Sequence, residues 1–176
     1  MDKAVSNAAG VDVALSLGSN IDRYRHITGA LDALADAFGD LVCSPVYESE
    51  SVGFDGSPFL NSVVLIRTDR ALVDIVRLLK RIEDDHGRNR SGPKFSPRTL
   101  DIDVLTYGEV VGERDGIELP RAETAENAFV LKPMADILPD ARLPGSEKSY
   151  AELWADYPKD RQKLWPVPFQ WRDQAL

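Results

Sequence analysis

The sequence predicts an α+β fold in which an antiparallel sheet carries two helices on one of its faces. Two observations support this prediction. Four segments rich in apolar and β-branched residues have the length of strands, and two longer segments place their apolar residues on one side of a helix. In chain order they run strand, helix, strand, strand, helix, strand. This is the order of a split βαβ unit, so we expect one sheet with both helices on the same face.

The first strand and the first helix are predicted for residues 11–17 and 24–38. Residues 11–17 (VDVALSL) form an apolar run, and the glycine, serine and asparagine that follow suit a tight turn. In residues 24–38 the apolar side chains recur with helical spacing, and Gly39 is a typical residue for the end of a helix. The pattern therefore indicates a strand, a turn and an amphipathic helix.

The remaining elements repeat these two patterns. Strands are predicted for residues 41–47, 60–68 and 100–107, and a second one-sided helix for residues 70–85. Together with the first strand and helix, they predict the ferredoxin-like βαββαβ fold, an antiparallel sheet with its helices on one face.

The chain is predicted to form one domain between a short lead and a C-terminal extension. Residues 1–10 lack the apolar core of a signal peptide, and we expect them to be a disordered lead. Residues 11–145 form the predicted domain, and residues 146–176 form an extension that holds all three tryptophans. Three exposed indole rings would be costly, so we expect the extension to pack on the domain. A short helix is predicted near residues 150–156.

Composition narrows the class of protein. The chain has 176 residues, of which 43% are hydrophobic and 28% charged, and its net charge is −8. This acidity argues against a general nucleic-acid-binding protein, which needs a broad basic face. Cys43 is the only cysteine, so no intramolecular disulfide can form, which suits the reducing cytoplasm. We also expect no membrane span, because the chain has no apolar run of about 18 residues.

The two histidines are interpreted as isolated residues. His26 is expected on a helix surface and His86 at a helix end, next to a glycine. Because no cluster of cysteine and histidine occurs in the sequence, no zinc site is predicted.

The most informative motif lies in the last predicted strand, where Asp101 and Asp103 are two positions apart. Alternation along a strand puts both carboxylates on the same face, with Cα atoms about 6.7 Å apart. Arg88, Arg90 and Arg98 lie just upstream. Carboxylates that bind Mg²⁺ and cations that bind phosphate oxygens together fit a Mg²⁺–polyphosphate complex. Two alternatives stay open, an acidic surface strand and a structural network of ion pairs.

Further motifs accompany the carboxylate pair, and their combination resembles a known family. They are ALSLGSN at 14–20, SPVY at 44–47, FLN at 59–61, RIE at 81–83, GRNR at 87–90, SPRTLDIDVL at 96–105 and FVLKPM at 129–134. From residue 11 to about residue 145 the chain resembles the 6-hydroxymethyl-7,8-dihydropterin pyrophosphokinases of the folate pathway. The resemblance implies a ferredoxin-like fold and transfer of pyrophosphate from ATP to the hydroxymethyl group of the pterin, with release of AMP.

The resemblance also implies roles at the ATP end of the site. Asp101 and Asp103 would bind two Mg²⁺ ions that bridge the phosphates of ATP, and both count as catalytic together with Arg88 and Arg98. The residues that it implies for ATP binding are Glu83, Arg88, Arg90, Arg98 and Arg121.

At the pterin end the resemblance implies five substrate-binding residues. Phe59 and Phe129 match aromatic residues that stack on the two sides of the pterin, and Asn61 matches an asparagine that bonds its polar edge. Ser49 and Val52 fall where backbone groups contact the pterin. Two aromatic rings and an amide are suited to hold a flat heterocycle and to read its donors and acceptors.

Two positions depart from the family pattern, both on the ATP-phosphate side. Arg121 stands where the family usually has histidine, and Asn127 stands where it usually has arginine, two positions before Phe129. A working Mg-dependent pyrophosphokinase is the leading interpretation, with ATP and a dihydropterin as its small-molecule partners. We expect a cytoplasmic monomer that binds neither nucleic acid nor membrane. A non-catalytic pterin- or nucleotide-binding paralogue, and a kinase for a different pterin side chain, remain as alternatives.

Overall fold

A computed structural model describes residues 10–50, 57–87 and 99–176 of the chain. The elements of these residues, in chain order, are β1 (Val11–Ser19), α1 (Arg23–Phe38), β2 (Val42–Cys43), β3 (Val46–Ser49), β4 (Phe59–Thr68), α2 (Leu72–Asp85), β5 (Asp101–Tyr107), β6 (Gly112–Arg114), β7 (Ile117–Leu119), α3 (Glu123–Glu126), α4 (Ala128–Ile137), α5 (Tyr150–Asp156), β8 (Leu164–Val167), β9 (Gln170–Trp171) and β10 (Gln174–Ala175).

One antiparallel sheet organises the molecule. Its strands lie side by side in the order β5, β1, β4, β3, β8, and β2 also pairs with β4. The order of the predicted strands and helices is confirmed. Helix α1 begins one residue before its predicted start, and α2 begins two residues after its own.

The predicted strand 41–47 is interrupted in the middle. Two short strands, β2 and β3, occupy this segment on either side of Ser44 and Pro45. Pro45 has no N–H group to donate. The backbone N–H of Val63 in β4 donates to the side-chain Oγ of Ser44 at 2.9 Å, so a side chain replaces part of the ladder. The interruption therefore follows from these residues, and after it β3 pairs with both β4 and β8.

The two faces of the sheet carry separate apolar clusters. Helices α1 and α2 pack on one face, as predicted, around a core that includes Leu15, Leu17, Ile27, Leu31, Ile75 and Leu79. Helices α4 and α5 cover part of the opposite face, around a cluster that includes Ala14, Val63, Leu105, Leu131, Met134 and Tyr150. The alternation of neighbours such as Ala14 and Leu15 separates the two clusters, because successive side chains of a strand leave opposite faces.

Residues of the predicted extension contact this sheet and its helices. Helix α5 occupies the predicted residues and begins with a capping box between Ser149 and Glu152. Strand β8 pairs with β3, and Phe169 and Trp171 are buried in the cluster of α1 and α2. The division of the chain at residues 10 and 145 stays a prediction. In the described parts of the chain, no helix has the length and apolarity needed to cross a membrane.

Candidate active site

Most of the predicted site residues fall in the described part of the chain. They are Ser49, Phe59, Asn61, Glu83, Asp101, Asp103, Arg121 and Phe129. Four others lie outside the described residues, namely Val52, Arg88, Arg90 and Arg98.

A row of directly opposed residues joins the two predicted ends of the site. Asp101 of β5 pairs with Gly18 of β1, Gly18 pairs with Asn61 of β4, and Asn61 pairs with Tyr47 of β3. Directly opposed residues of an antiparallel sheet share a face. Asp101 and Asn61 therefore lie on the same face, two strand spacings apart, or about 10 Å.

Gly18 keeps the space between these two residues open. A Cβ atom at this position would lie 3.6 Å from Oδ1 of Asn61 and 3.8 Å from Cδ1 of Phe59. Both distances are ordinary van der Waals contacts, so the space is large enough for a methyl group and is bordered by two predicted pterin-binding side chains. At Gly18 itself, β1 thus presents no side chain to a ligand that spans the row.

Asp101 and Asp103, the predicted metal-binding pair, lie on one face of β5, as the alternation of side chains along a strand predicts. Ile102 and Val104 are buried in the cluster of α1 and α2, whereas Leu105 belongs to the opposite cluster. Asp101 and Asp103 therefore face the side of α4, and the Asp103 side chain is 43% exposed. Two carboxylates open to solvent on one face form a suitable oxygen donor set for Mg²⁺.

The described residues contain no group of three or more histidine, cysteine, aspartate and glutamate side chains that could hold a metal ion. This does not conflict with a Mg²⁺ site at the aspartate pair. Magnesium is commonly bound through one or two carboxylates, with substrate phosphates and water completing its coordination. Asp101 and Asp103 thus fit a metal that arrives together with a nucleotide.

Glu83 supports the strand that carries the aspartates. Its carboxylate Oε2 accepts a hydrogen bond of 2.8 Å from the backbone N–H of Ile102, and Glu83 is 7% exposed. Strand β5 is the terminal strand in the sheet order, and a buried N–H at such an edge needs an acceptor. The carboxylate of α2 therefore fixes the backbone between Asp101 and Asp103. Its predicted contact with ATP stays a prediction.

Arg121 lies beside the metal pair. Its Nη2 atom is 4.0 Å from Oδ1 of Asp103, and its Nε donates to Glu123 at 3.1 Å. The backbone N–H of Arg121 donates to the carbonyl of Leu105 at 2.9 Å, which fixes this residue next to β5. A cation is therefore available at the aspartate pair, at the position where the family pattern has histidine.

At the predicted pterin end, the buried amide of Asn61 is bonded to a residue that lines a pocket. The Nδ2 of Asn61 donates to Oγ of Ser49 at 2.8 Å, and both residues are buried. Ser49 pairs directly with Phe59 across β3 and β4. Ser49 and Phe129 both line a pocket of about 250 Å³. The structure thus brings Ser49, Asn61 and Phe129 together, with Phe59 on the same face.

Tyr47 is a residue of this row that sequence reasoning missed. Its hydroxyl donates to the carboxylate of Asp136 in α4, which also accepts a 2.7 Å bond from Lys132. Burial raises the pKa of the Tyr47 phenol, so the group stays protonated and keeps donating. This bond ties β3 to α4, the helix that carries Phe129. Its only sequence signal is the SPVY motif, which does not identify a partner 89 residues away.

A second missed feature is the contribution of residues 160–163, which also line the pocket. This segment reads DRQK, which is typical of a solvated turn, and no motif marks it as part of a site.

Comparison with known proteins identifies the family. The family model for 7,8-dihydro-6-hydroxymethylpterin-pyrophosphokinase (HPPK) matches residues 14–139. The 2-amino-4-hydroxy-6-hydroxymethyldihydropteridine pyrophosphokinase of Pseudomonas aeruginosa is 37% identical over 139 residues, which are 75% of this chain and 83% of that protein. The enzyme of the same name from Synechocystis sp. is 33% identical over 156 residues, 87% of this chain and 78% of that protein.

Solved structures show the same fold. Wild-type HPPK-DHPS of Plasmodium falciparum, crystallised with pterin and p-hydroxybenzoate, superposes with a TM-score of 0.67 at 14% identity. The match covers 84% of this chain and 43% of that longer chain. The sequence match over residues 14–139 and the relatives that are more than 30% identical establish the membership. This chain belongs to the 7,8-dihydro-6-hydroxymethylpterin-pyrophosphokinase family.

Proposed function

We propose that this chain transfers pyrophosphate from ATP to the hydroxymethyl group of 6-hydroxymethyl-7,8-dihydropterin and releases AMP, a step of folate biosynthesis. The observation that carries the proposal is the cross-strand row, in which Asp101 and Asn61 lie on one face with only Gly18 between them. A nucleotide at the aspartates and a pterin at the asparagine would then meet over β1. Membership in the pyrophosphokinase family supports this assignment.

At the nucleotide end, Asp101 and Asp103 would hold two Mg²⁺ ions together with the phosphates of ATP. When bound, such ions neutralise phosphate charge and lower the pKa of a coordinated hydroxyl group. Glu83 keeps the two aspartates in register through its bond to the backbone of Ile102. Arg121, 4.0 Å from Asp103, can reach an oxygen of a phosphate bound at the aspartate pair.

The catalytic requirement of this reaction suits the residues of the site. Phosphoryl groups transfer mainly by alignment and charge stabilisation, and a covalent nucleophile on the protein is not needed. We assign Arg88, Arg90 and Arg98 to the phosphates on the basis of the family motif, with Arg88 and Arg98 as catalytic residues. These three arginines lie outside the described residues.

At the pterin end, Phe59 and Phe129 would stack on the ring and Asn61 would read its polar edge. The bond from Nδ2 of Asn61 to Ser49 orients the amide, and Oδ1 then faces the space beside Gly18. In this position Oδ1 can accept a hydrogen bond from an N–H group of the pterin. Val52 is assigned to the same pocket by the family motif alone.

We further propose that the protein works in the cytoplasm as a monomer with ATP and the dihydropterin as its partners, without nucleic acid or membrane. The net charge of −8 supports the absence of a nucleic-acid partner.

The reaction type is tested by identifying both products. The full chain is incubated with Mg²⁺, ATP and 6-hydroxymethyl-7,8-dihydropterin. The nucleotides and pterins are then separated, identified and quantified by mass spectrometry. We expect AMP and pterin diphosphate in equal amounts, and loss of both on chelation with EDTA. Formation of ADP would show transfer of a single phosphate and would refute the proposal.

A matched substrate tests the acceptor. The 6-methyl-7,8-dihydropterin keeps the ring but lacks the attacking hydroxyl, so it should bind without forming AMP. The non-catalytic alternative derives from Arg121 and Asn127, which stand where the family usually has histidine and arginine. Tight binding of both pterins with no AMP from either would favour that alternative.

A further inference from the structure

The pterin pocket has a wall that the family model does not cover. Residues 160–163 connect α5 to β8 and lie beyond residues 14–139, the part that matches the family model. The pocket of about 250 Å³ is lined by Ser49, Glu50 and Phe129 together with residues 160–163. This segment therefore borders the same space as the proposed pterin-stacking ring.

Gln162 is the residue of this wall that contacts the start of helix α4. Its Oε1 accepts a hydrogen bond of 2.8 Å from the backbone N–H of Ala128, and its Nε2 donates to Oδ1 of Asn127 at 3.0 Å. Ala128 is the first residue of α4, and the first N–H groups of a helix have no acceptor within it.

Asn127 does not cap this helix with its own side chain. Asparagine at this position usually accepts a bond from an N–H of the first turn. Here its amide oxygen is bonded to Gln162 instead, and Gln162 supplies an acceptor for the helix from outside it. The position where the family usually has arginine is thus used to attach α4 to the extension.

A second side chain of the same region holds the same turn. The hydroxyl of Tyr157 donates to the carbonyl of Glu126 at 2.7 Å, and Tyr157 is buried. Three hydrogen bonds that involve Tyr157 and Gln162 therefore hold residues 126–128, two at the backbone of Glu126 and Ala128 and one at the side chain of Asn127. Phe129 follows directly, in the first turn of α4, so its ring position depends on this turn.

We propose that Gln162 is a positioning residue for the pterin, and that residues 160–163 form a wall of the pterin pocket. Gln162 fixes the start of α4 and so holds the ring of Phe129 at the stacking distance from the substrate. The inference rests on the proposed function, in which Phe129 stacks on the pterin. Stacking depends on the position of the ring, so a loosened turn weakens pterin binding more than ATP binding.

The test compares binding of the two substrates in Gln162→Ala. The dissociation constant of 6-hydroxymethyl-7,8-dihydropterin is measured by calorimetric titration in the presence of an α,β-methylene analogue of ATP, so that no turnover occurs. We expect this dissociation constant to rise about tenfold, because the variant loses two hydrogen bonds that hold the turn before Phe129. The KM for ATP, and kcat at saturating pterin, should stay within about twofold of wild type.

Conservative and control variants separate positioning from general stability. Gln162→Glu keeps an acceptor for Ala128 and places a negative charge at a helix N-terminus. With the amide of Asn127 turned so that its Nδ2 donates to the second carboxylate oxygen, this variant should restore most of the pterin affinity. Gln170→Ala, at an exposed position of β9, should leave both substrates unaffected. A Gln162→Ala variant with wild-type affinity for the pterin would overturn the inference, as would equal losses for pterin and ATP.

Tyr157→Phe gives an independent readout if Gln162→Ala does not fold. This change removes one hydroxyl and keeps the packed ring, and we expect the pterin dissociation constant to rise about threefold. An unchanged constant would count against the inference. These changes in pterin affinity can be told apart from a failure of the proposed function. If the proposed function were wrong, the wild-type chain itself would form no AMP.

Discussion

Asp101, Gly18 and Asn61 connect the two halves of the site at the scale of single residues. The aspartate carries charge at one end, the asparagine carries a directed amide at the other, and the glycine leaves the space between them open. Their relation is set by the register of β5, β1 and β4, which places the three residues side by side across the sheet.

Asp103→Asn is expected to lower AMP formation by at least about a thousandfold while the protein stays folded. The change removes a negative charge from the proposed metal pair, and an amide is a weaker ligand for Mg²⁺. The measurement is the rate of AMP release at saturating substrates, with circular dichroism to check folding. Asp12→Asn is the matched control, since Asp12 lies on β1 in an exposed ion pair with Arg67. Near-normal turnover of Asp103→Asn would refute the metal assignment.

Gly18→Ala is expected to weaken pterin binding about fivefold or more with little change in thermal stability. The new methyl group would lie in ordinary contact with Asn61 and Phe59, so the fold tolerates it, but it occupies the space over β1. Pterin titration and a thermal melt measure the two quantities. A loss of stability without a change in pterin affinity would show that Gly18 serves packing and not the substrate.

At the scale of elements, helices α1 and α2 are joined by a histidine pair. The Nδ1 atoms of His26 and His86 are 2.7 Å apart, and their rings meet edge to face. His86 follows the last residue of α2 and lies over Gly29 of α1, where an added Cβ would be 2.3 Å from its Cε1. The interpretation of both histidines as isolated residues is therefore wrong. They are 60 residues apart, and no local pattern relates them.

The histidine pair makes stability depend on pH. Burial lowers the pKa of both rings below 6.5, and the positive charge of Arg25 lowers both further. In the opposite direction, Asp22 raises the pKa of His26 and Asp85 raises the pKa of His86. Below pH 6.5 the unfolded chain then binds more protons than the folded chain. We expect the free energy of unfolding, measured with urea, to be constant above about pH 7 and to fall as the pH drops below 6.5.

A double variant, His26→Asn with His86→Gln, is the control for this pH dependence. The chain has two histidines, so the variant removes every imidazole and should flatten the curve between pH 7 and 5.5. If the free energy of unfolding fell equally steeply with pH in wild type and variant, the pH dependence would come from carboxylates and not from the histidines.

At the scale of the whole molecule, the C-terminal residues complete both the sheet and the core. Strand β8 extends the sheet beside β3, and the indole of Trp165 donates to Glu48 at 2.7 Å. Trp171 is buried against α1, and its indole donates to Asp32 at 3.0 Å. The same stretch contributes Gln162 to the pocket that Ser49 and Phe129 also line. Residues far from the family motifs thus contribute to stability and to the site.

Trp171→Ala is expected to lower the free energy of unfolding by about 3–5 kcal/mol, the usual effect of removing a large buried aromatic side chain. Trp165→Ala should cost less than about 2 kcal/mol, because Trp165 is 38% exposed. Urea unfolding monitored by circular dichroism measures both. Equal, small effects would show that the last residues are a dispensable appendage of the domain.

Local patterns account for what the sequence predicts well. Alternation in β5 puts Asp101 and Asp103 on one face and Ile102 in the core, and one-sided apolar spacing predicts α1 and α2. Features that depend on distant partners could not be predicted in this way. The bond between Ser44 and Val63 that interrupts a strand and the contact of Gln162 with α4 both join residues far apart in sequence.

The proposed function requires one sheet face to bring ATP and the dihydropterin together for reaction. Its most direct test is the rate of AMP formation by the full chain at saturating Mg·ATP, measured as the concentration of 6-hydroxymethyl-7,8-dihydropterin is raised from zero. Almost no AMP should form without the pterin, and the rate should rise hyperbolically to saturation as the pterin is added. A protein that binds the pterin in the same solution but forms no AMP above the pterin-free background would refute the proposed function.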